Sequence, residues 1–331
     1  MHPHMVYERD ECVETTALPG KITAIIPTAA GPIECLLWSV FSLLLRTKPN
    51  DLLEHFMVCI NGPDARTGDE NPCNLKQQFL EELRDMKWYH ADRPQVKKDM
   101  PISVIRAWSR IGHPEAVEMA IPWVHTDAYL LMHDDIIIMK DNWLREVEDK
   151  FYGDDDVAIA YAPRLLCAKC DSSTHKDKPI LRVPHLLCTF LVCRRKWLEK
   201  TGTTWCGWHI PTPPFKLHEK VNVEQFLQYY REHDALAEPP DQNATYEYMT
   251  MEMGAWMYYQ LCQDNRKFAA LDPDLLIHFG TMSWDSESGK RSRIATFRRY
   301  AKEIEAKIYQ HPDYCNLYRK YIQAGTYYQG E

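Results

Sequence analysis

Apolar runs alternate with amphipathic stretches along most of this chain, and the period of each run names the element it builds. Residues 22–27 (ITAIIP) are continuously apolar, the pattern of a strand buried on both faces, and residues 32–46 then repeat apolar side chains at helical spacing. The turn between them, Thr28-Ala29-Ala30-Gly31, is built of small residues. Residues 55–60 (HFMVCI) predict a second strand, which ends in the turn sequence Asn61-Gly62-Pro63-Asp64. A helix over residues 75–86 follows, with Asn74 as its cap. Residues 101–120 have helical periodicity interrupted at His113-Pro114, which predicts two short helices. Next come the strand AYLLMHDD, a helix over residues 143–151 and a strand over residues 157–162.

The later half is less regular. LLCTFLVC, residues 186–193, predicts a buried strand running into a helix that ends at Gly202. Residues 205–242 are rich in Pro, His and aromatics around a short amphipathic helix through Phe226, Tyr229 and Tyr230, and a segment of this length often serves as a lid or binding loop. Residues 246–262 read as helical and carry Glu247 and Glu252; LDPDLLIHFG is strand-like and leads to His278; residues 290–322 form a basic amphipathic helical appendage. Strands alternating with helices in this way predict an α/β fold, a mostly parallel sheet flanked by helices. The chain divides into a polar tail over 1–20, an α/β domain over 21–285 with an insertion at 205–246, and a C-terminal helical extension over 286–331.

Composition narrows the function. The 331 residues carry 39 Lys and Arg against 47 Asp and Glu, a net charge of -8 that argues against a nucleic-acid groove. Anionic ligands must then be met locally, by a metal, helix ends or single cations. The opening MHPHMVYERDECVE lacks the basic start and apolar stretch of an export signal, and the apolar run at 35–45 contains Ser39 and Ser42 and is too short to span a bilayer. A cytoplasmic protein with no transmembrane segment is expected. Eleven cysteines, an odd number without an export signal, fit reduced and mostly buried thiols, and the single CxxC at Cys167 and Cys170 has no second motif to complete a zinc site.

The chemistry concentrates at the carboxyl ends of the predicted strands, where parallel sheets bind ligands. Asp134 and Asp135 stand side by side between Leu130-Leu131 and Ile136-Ile137, and two like charges in apolar company need a cation or hydrogen-bond donors. A divalent metal satisfies that need. Oxygen ligands suit Mg2+ or Mn2+, and His133 beside them adds a nitrogen that favours Mn2+.

In this order, IIPT with its helix, NGPD, a strand ending in DD before a WL helix, LLCTFLVCRRKWLEKTG, a helix carrying Glu252 and PDLLIHFGTMSW resemble a family-two-type glycosyltransferase of the GT-A fold over residues 22–284. The resemblance implies a Rossmann-like sheet, a nucleotide-diphosphate sugar donor (a UDP-sugar favoured), a hydroxyl acceptor such as a glycan, a divalent metal and inversion at the anomeric carbon. Pro27 and Thr28 would lie under the nucleotide, Asn61 and Asp64 would face the base or ribose, and Asp134 would lie nearer the ribose or sugar. Asp135 would hold the metal, with His133 in the place of the first carboxylate of the family's Asp-any-Asp motif and His278 completing metal or diphosphate binding. Glu252 would be the base, with Glu247 in reserve, and Ser283, Lys290 and Arg291 or Arg293 would close over the phosphates. Trp205, Trp208 and His209 would meet the acceptor sugar, or the two Trp rings would pin their loop to the core. A nucleotidyltransferase is the competing enzyme class, though TAAGPIE lacks the glycine-rich basic loop it would want; a degenerate glycan-binding module is the non-enzymatic alternative. Basic C-terminal helices could also dock on a partner or an anionic surface.

Overall fold

The continuous apolar runs become central strands, because each must bury both of its faces. A computed structural model describes residues 18–47, 52–63, 68–90, 93–109, 111–141, 143–162, 180–182, 186, 188–205, 210–233, 240–250, 253–279 and 287–325. The first half runs β1 (Leu18–Thr28), α1 (Ile33–Leu45), β2 (Leu53–Ile60), α2 (Asn71–Arg84), β3 (Lys87–His90), β4 (Arg93–Asp99), β5 (Ile102–Arg106), α3 (His113–Ala120), β6 (Thr126–Met132), β7 (Ile136–Ile138) and α4 (Trp143–Val147). The second runs β8 (Val157–Tyr161), β9 (Ile180–Arg182), β10 (Phe190–Arg194), α5 (Arg195–Lys200), β11 (Ile210–Lys216), α6 (Val223–His233), β12 (Thr245–Thr250), α7 (Ala255–Gln263), β13 (Lys267–Ala270), β14 (Leu276–His278), α8 (Glu287–Ile308) and α9 (Pro312–Ala324).

Seven strands form the main sheet in the order β13-β8-β10-β6-β1-β2-β5. All its pairs are parallel except those of β10, which runs antiparallel to β6 and β8. The α/β class, the mostly parallel sheet and the C-terminal helices expected from the sequence are therefore observed. Each central strand feeds two cores at period two: Ile22, Ala24 and Ile26 enter one, and Ile25 enters the other; Leu130 and Met132 join the first, Tyr129 and Leu131 the second. β1 lies between β2, its next strand in sequence, and β6, which arrives from farther along the chain. Its seam with β6 is thus the point where the winding of the sheet reverses, the usual location of a ligand crevice in such folds. Pairing along that seam stops at Ile25 and Leu131, so Pro27 sits beyond the ladder where its missing N–H costs nothing.

Three local expectations are corrected. Residues 102–106 form the edge strand β5, and only the second half of the 101–120 segment is helical, with Pro114 in the first turn of α3 where an N–H would lack a partner anyway. α2 begins at Asn71 with Pro72 in its first turn, so Asn74 lies inside the helix rather than capping it. The segment expected as one helix over 246–262 is the strand β12, carrying Glu247, followed by α7.

The C-terminal extension is part of the fold. Every residue of α1 is buried, because the helix lies between the sheet and α8–α9. Trp38 donates from Nε1 to the Tyr318 hydroxyl at 2.9 Å, which donates in turn to Glu305 at 2.5 Å, while Phe41 packs on Tyr314, Tyr318 and Phe79. Arg46, 2 % exposed, ends this face with ion pairs to Asp141 and Glu303. Cysteines among the described residues are free thiols, all but Cys262 buried. No helix among the described residues is long and apolar enough to cross a membrane.

His55 on β2 makes this fold acid-sensitive. Burial, aided by His125, pushes its pKa down from 6.5 to about 4, and its Nε2 shares a 3.0 Å hydrogen bond with Ser103. The unfolded chain takes up a proton near pH 6.5 and the native protein only near 4, so stability present above pH 6.5 is lost as pH falls towards 4. A loss on the order of 2–3 kcal/mol is expected from this residue. Urea unfolding at pH 7 and pH 4.5 should show a smaller loss in His55→Gln than in the unsubstituted protein; equal losses would remove His55 as the cause.

Candidate metal and nucleotide site

β1 and β6 deliver Thr28 and the turn His133-Asp134-Asp135 to the same carboxyl end of the sheet, where the Thr28 hydroxyl meets Asp134. The turn is fixed on both sides. His133 N–H donates to the Thr189 carbonyl at 3.0 Å, Ser39 Oγ donates to the His133 carbonyl at 3.2 Å, and Ser42 Oγ accepts from Ile138 N–H at 3.0 Å. The two serines that interrupt the apolar run of α1 are thus buried polar groups with backbone partners. Beyond the turn, β7 pairs antiparallel with β14 so that Ile136 faces His278, and Phe279 N–H donates to the Asp135 carbonyl at 2.9 Å.

The adjacent carboxylates point to different partners. Asp134 turns to β1 and α2: the Thr28 hydroxyl donates to it, and Lys76 Nζ lies 3.2 Å from the same oxygen. Lys76 also donates to Thr28 Oγ1 and to the Ala29 carbonyl, each at 2.6 Å, and is completely buried. Asp135, 6 % exposed, turns to the imidazoles. Its Oδ1 lies 3.1 Å from His278 Nε2 and 3.9 Å from His133 Nδ1. The closer approach lacks hydrogen-bond geometry, and both Asp135 Oδ1 and His278 Nε2 are buried polar atoms without a hydrogen-bond partner.

Those orphaned atoms are the chemical test for a cation. One donor atom from each of His133, Asp135 and His278 lies within 4.8 Å of the others. Neighbouring ligands around an ion at about 2.1 Å are separated by about 3–4 Å, so the group fits a divalent metal with only small adjustments. Burial raises the Asp135 carboxyl, but His278 and His133 lower it by more, leaving it below the usual carboxylate range and ionised at neutral pH. Burial lowers His133, with Asp135 opposing, which keeps its imidazole neutral as a ligand must be. His113, at the start of α3, packs against His133 with the rings tilted and their centroids 4.4 Å apart; burial first and then His133 hold it well below the ordinary histidine value.

The other expected residues divide. Pro27 and Thr28 line the end of β1, and Asn61 closes the end of β2, where its N–H donates to the Thr28 carbonyl at 2.8 Å and its Oδ1 accepts from Ile111 N–H at 3.2 Å. Of the two readings of Trp205, its enclosure supports the core contact. It is 1 % exposed, donates from Nε1 to the Tyr129 hydroxyl at 2.7 Å, and lies under Gly254, whose φ of +73° and lack of Cβ make room for the ring. Such a ring pins its loop and offers no open face to a sugar. Arg293 donates to the Phe279 carbonyl at 3.1 Å, next to His278, and Lys290 is buried on the first turns of α8. Asp64, Trp208, His209, Glu252, Ser283, Cys167 and Cys170 lie outside the described residues.

Lys76 was missed in the sequence, although its signal was there. It occupies the apolar stripe of α2 between Cys73 and Phe79-Leu80, a core position where a cation needs a buried partner. His113 carried no comparable signal.

No family model matches the chain, and no curated protein sequence does. Among solved structures it is similar to the mannosyltransferase PcManGT from Pyrobaculum calidifontis in complex with GDP-Man and Mn2+, at 11 % identity and TM-score 0.44 over 96 % of this chain and 80 % of that one. It is also similar to the glycosyltransferase GlyE of Streptococcus pneumoniae TIGR4, at 13 % identity and TM-score 0.40 over 92 % of this chain and 64 % of that one. A third is glucosyl-3-phosphoglycerate synthase from Mycobacterium tuberculosis with Mn2+, UDP and glucosyl-3-phosphoglycerate, at 12 % identity and TM-score 0.38 over 83 % of this chain and 80 % of that one. At TM-scores of 0.38 to 0.44, these likenesses transfer no residue role to this chain.

Proposed function

We propose that the chain is a metal-dependent glycosyltransferase of the GT-A type that moves a sugar from a nucleotide-diphosphate donor, a UDP-sugar favoured, to a hydroxyl acceptor with inversion. The observation that carries this reading is the triangle of His133, Asp135 and His278, with Asp135 buried and both imidazoles part-exposed, just beyond the carboxyl end of β6 beside β1. Among the charged groups of the crevice, Asp134 is balanced by Lys76, and Asp135 is left as one negative charge facing two imidazoles. That balance suits a divalent cation which brings its own anionic ligand. Two nitrogens and one oxygen favour Mn2+ over Mg2+. When bound, such an ion would act as a Lewis acid on the departing diphosphate.

The chain's own groups would supply the rest. Pro27 and Thr28 at the end of β1 are proposed to lie under the nucleotide, and Asn61 at the end of β2 is proposed to meet a base edge or a ribose hydroxyl. Glu252, just ahead of α7 in sequence, is proposed as the base that takes the proton of the acceptor hydroxyl as oxygen attacks the anomeric carbon; this assignment rests on the order of motifs in the sequence. Arg293, bonded to the Phe279 carbonyl, and Lys290, one turn earlier on α8, are proposed as cations near the leaving phosphates.

The test is incubation with a panel of nucleotide sugars and MnCl2, with donor cleavage and product anomer followed by NMR. Mn2+-dependent release of nucleoside diphosphate and an inverted anomer are expected. Donor binding without turnover across the panel would favour a glycan-binding module, and a retained anomer would exclude a single displacement with Glu252 as base.

A further inference from the structure

Two adjacent carboxylates beside a divalent site would ordinarily compete for the same ion, yet this fold gives one of them a permanent cation of its own. Lys76 Nζ has three oxygen acceptors, Thr28 Oγ1, the Ala29 carbonyl and Asp134 Oδ2, and an ammonium group has three hydrogens to fill them. The Thr28 hydroxyl accepts from Lys76 and donates to Asp134, so the two are linked directly and through a bridge. Lys76 has no exposed surface and the Asp134 side chain is 15 % exposed, so this pair is screened little by solvent. Asp135, the next residue, has a different set of neighbours, and its Oδ1 lacks a hydrogen-bond partner.

We infer that Lys76 is a positioning residue that withholds Asp134 from the metal, so that the ion is bound by Asp135, His133 and His278 with a single carboxylate. The inference rests on the metal reading above and gives a reason why Asp134, adjacent to the ligand Asp135, does not serve the ion. Its physical content is electrostatic. With Lys76 in place the crevice shows the ion one net negative charge; without it, Asp134 is freed to turn towards the site and adds a second. A charge added a few ångströms from the ion at a partly buried position is expected to tighten binding about tenfold.

The experiment is calorimetric titration of the full chain with MnCl2 alone, comparing the unsubstituted protein with D134N, D135N, K76M and K76M/D134N, with circular dichroism to establish folding. K76M/D134N, which keeps the net charge of the site, is expected to bind Mn2+ within about threefold of the unsubstituted protein, D134N, which leaves the Lys76 charge unbalanced, about tenfold more weakly, K76M about tenfold more tightly, and D135N at least about thirtyfold more weakly. The double variant removes both charges together and so leaves no unpaired buried ion. Should K76M alone fail to fold, the double variant still decides the matter. A loss in K76M/D134N comparable to that in D135N would overturn the inference while leaving the metal reading intact, because it would make Asp134 a ligand. Unchanged affinity in folded K76M would overturn it as well. Unchanged affinity in D135N would instead overturn the metal reading, and this inference with it.

Discussion

Asp135→Asn is expected to reduce sugar transfer by about a thousandfold, the several kcal/mol of charge stabilisation that a metal supplies to a leaving diphosphate. The side-chain volume is kept, and the backbone bond from Phe279 N–H to the Asp135 carbonyl does not involve the substituted atoms. What changes is charge. Asp135 is a buried carboxylate held ionised by two imidazoles, with one oxygen lacking a hydrogen bond. The asparagine variant should unfold at a slightly lower temperature than the parent at neutral pH without metal, because the favourable interaction of the carboxylate with two imidazoles is gone, and should lose the stabilisation that added Mn2+ gives the parent. Initial rates with saturating Mn2+ and thermal unfolding with and without it measure both halves. Transfer above a tenth of the parent rate would remove Asp135 from the site.

Tyr318→Ala should have the largest effect on the fold, about 4 kcal/mol. Its ring fills the space between α1 and α9 against Phe41 and Tyr309, and its hydroxyl joins Trp38 to Glu305. Alanine leaves a cavity, an indole N–H deprived of its acceptor and a carboxylate that has lost a donor. Tyr318→Phe keeps the ring and loses only the hydroxyl, so it should cost about a third as much. Urea unfolding of both variants gives the comparison. A loss under about 1 kcal/mol in the alanine variant would mean that the C-terminal helices contribute little to the face of α1 they cover.

Those two residues illustrate what was legible beforehand. The strand leading to Asp134 and Asp135 could be read because a short run apolar at every position suits a strand between two layers, and the charges at its end then fall where ligands bind. The helical nature of the last segment was equally readable from its period. Its destination was not, since an amphipathic stripe says that a face will be buried and not against what. The same ambiguity explains the edge strand at 102–106, where ISVIR is too short for its period to separate strand from helix, and the helix expected across 246–262, whose first part pairs with β9 and β11. Trp205 shows the limit for side chains: an indole near a loop is chemically suited to a sugar face, and only its enclosure beneath Gly254 shows that it faces the core.

By itself the sequence determined the α/β class, the strands that carry the site and the residue types suited to a divalent ion, because periodicity and composition are local properties. Tertiary structure alone decided how those types are used. Pairing of β7 with β14 sets His278 against Asp135, and packing of α2 on the end of β1 sets Lys76 against Asp134. Both contacts join segments far apart in the chain, and their register is set by the packing of whole layers, which no local pattern encodes.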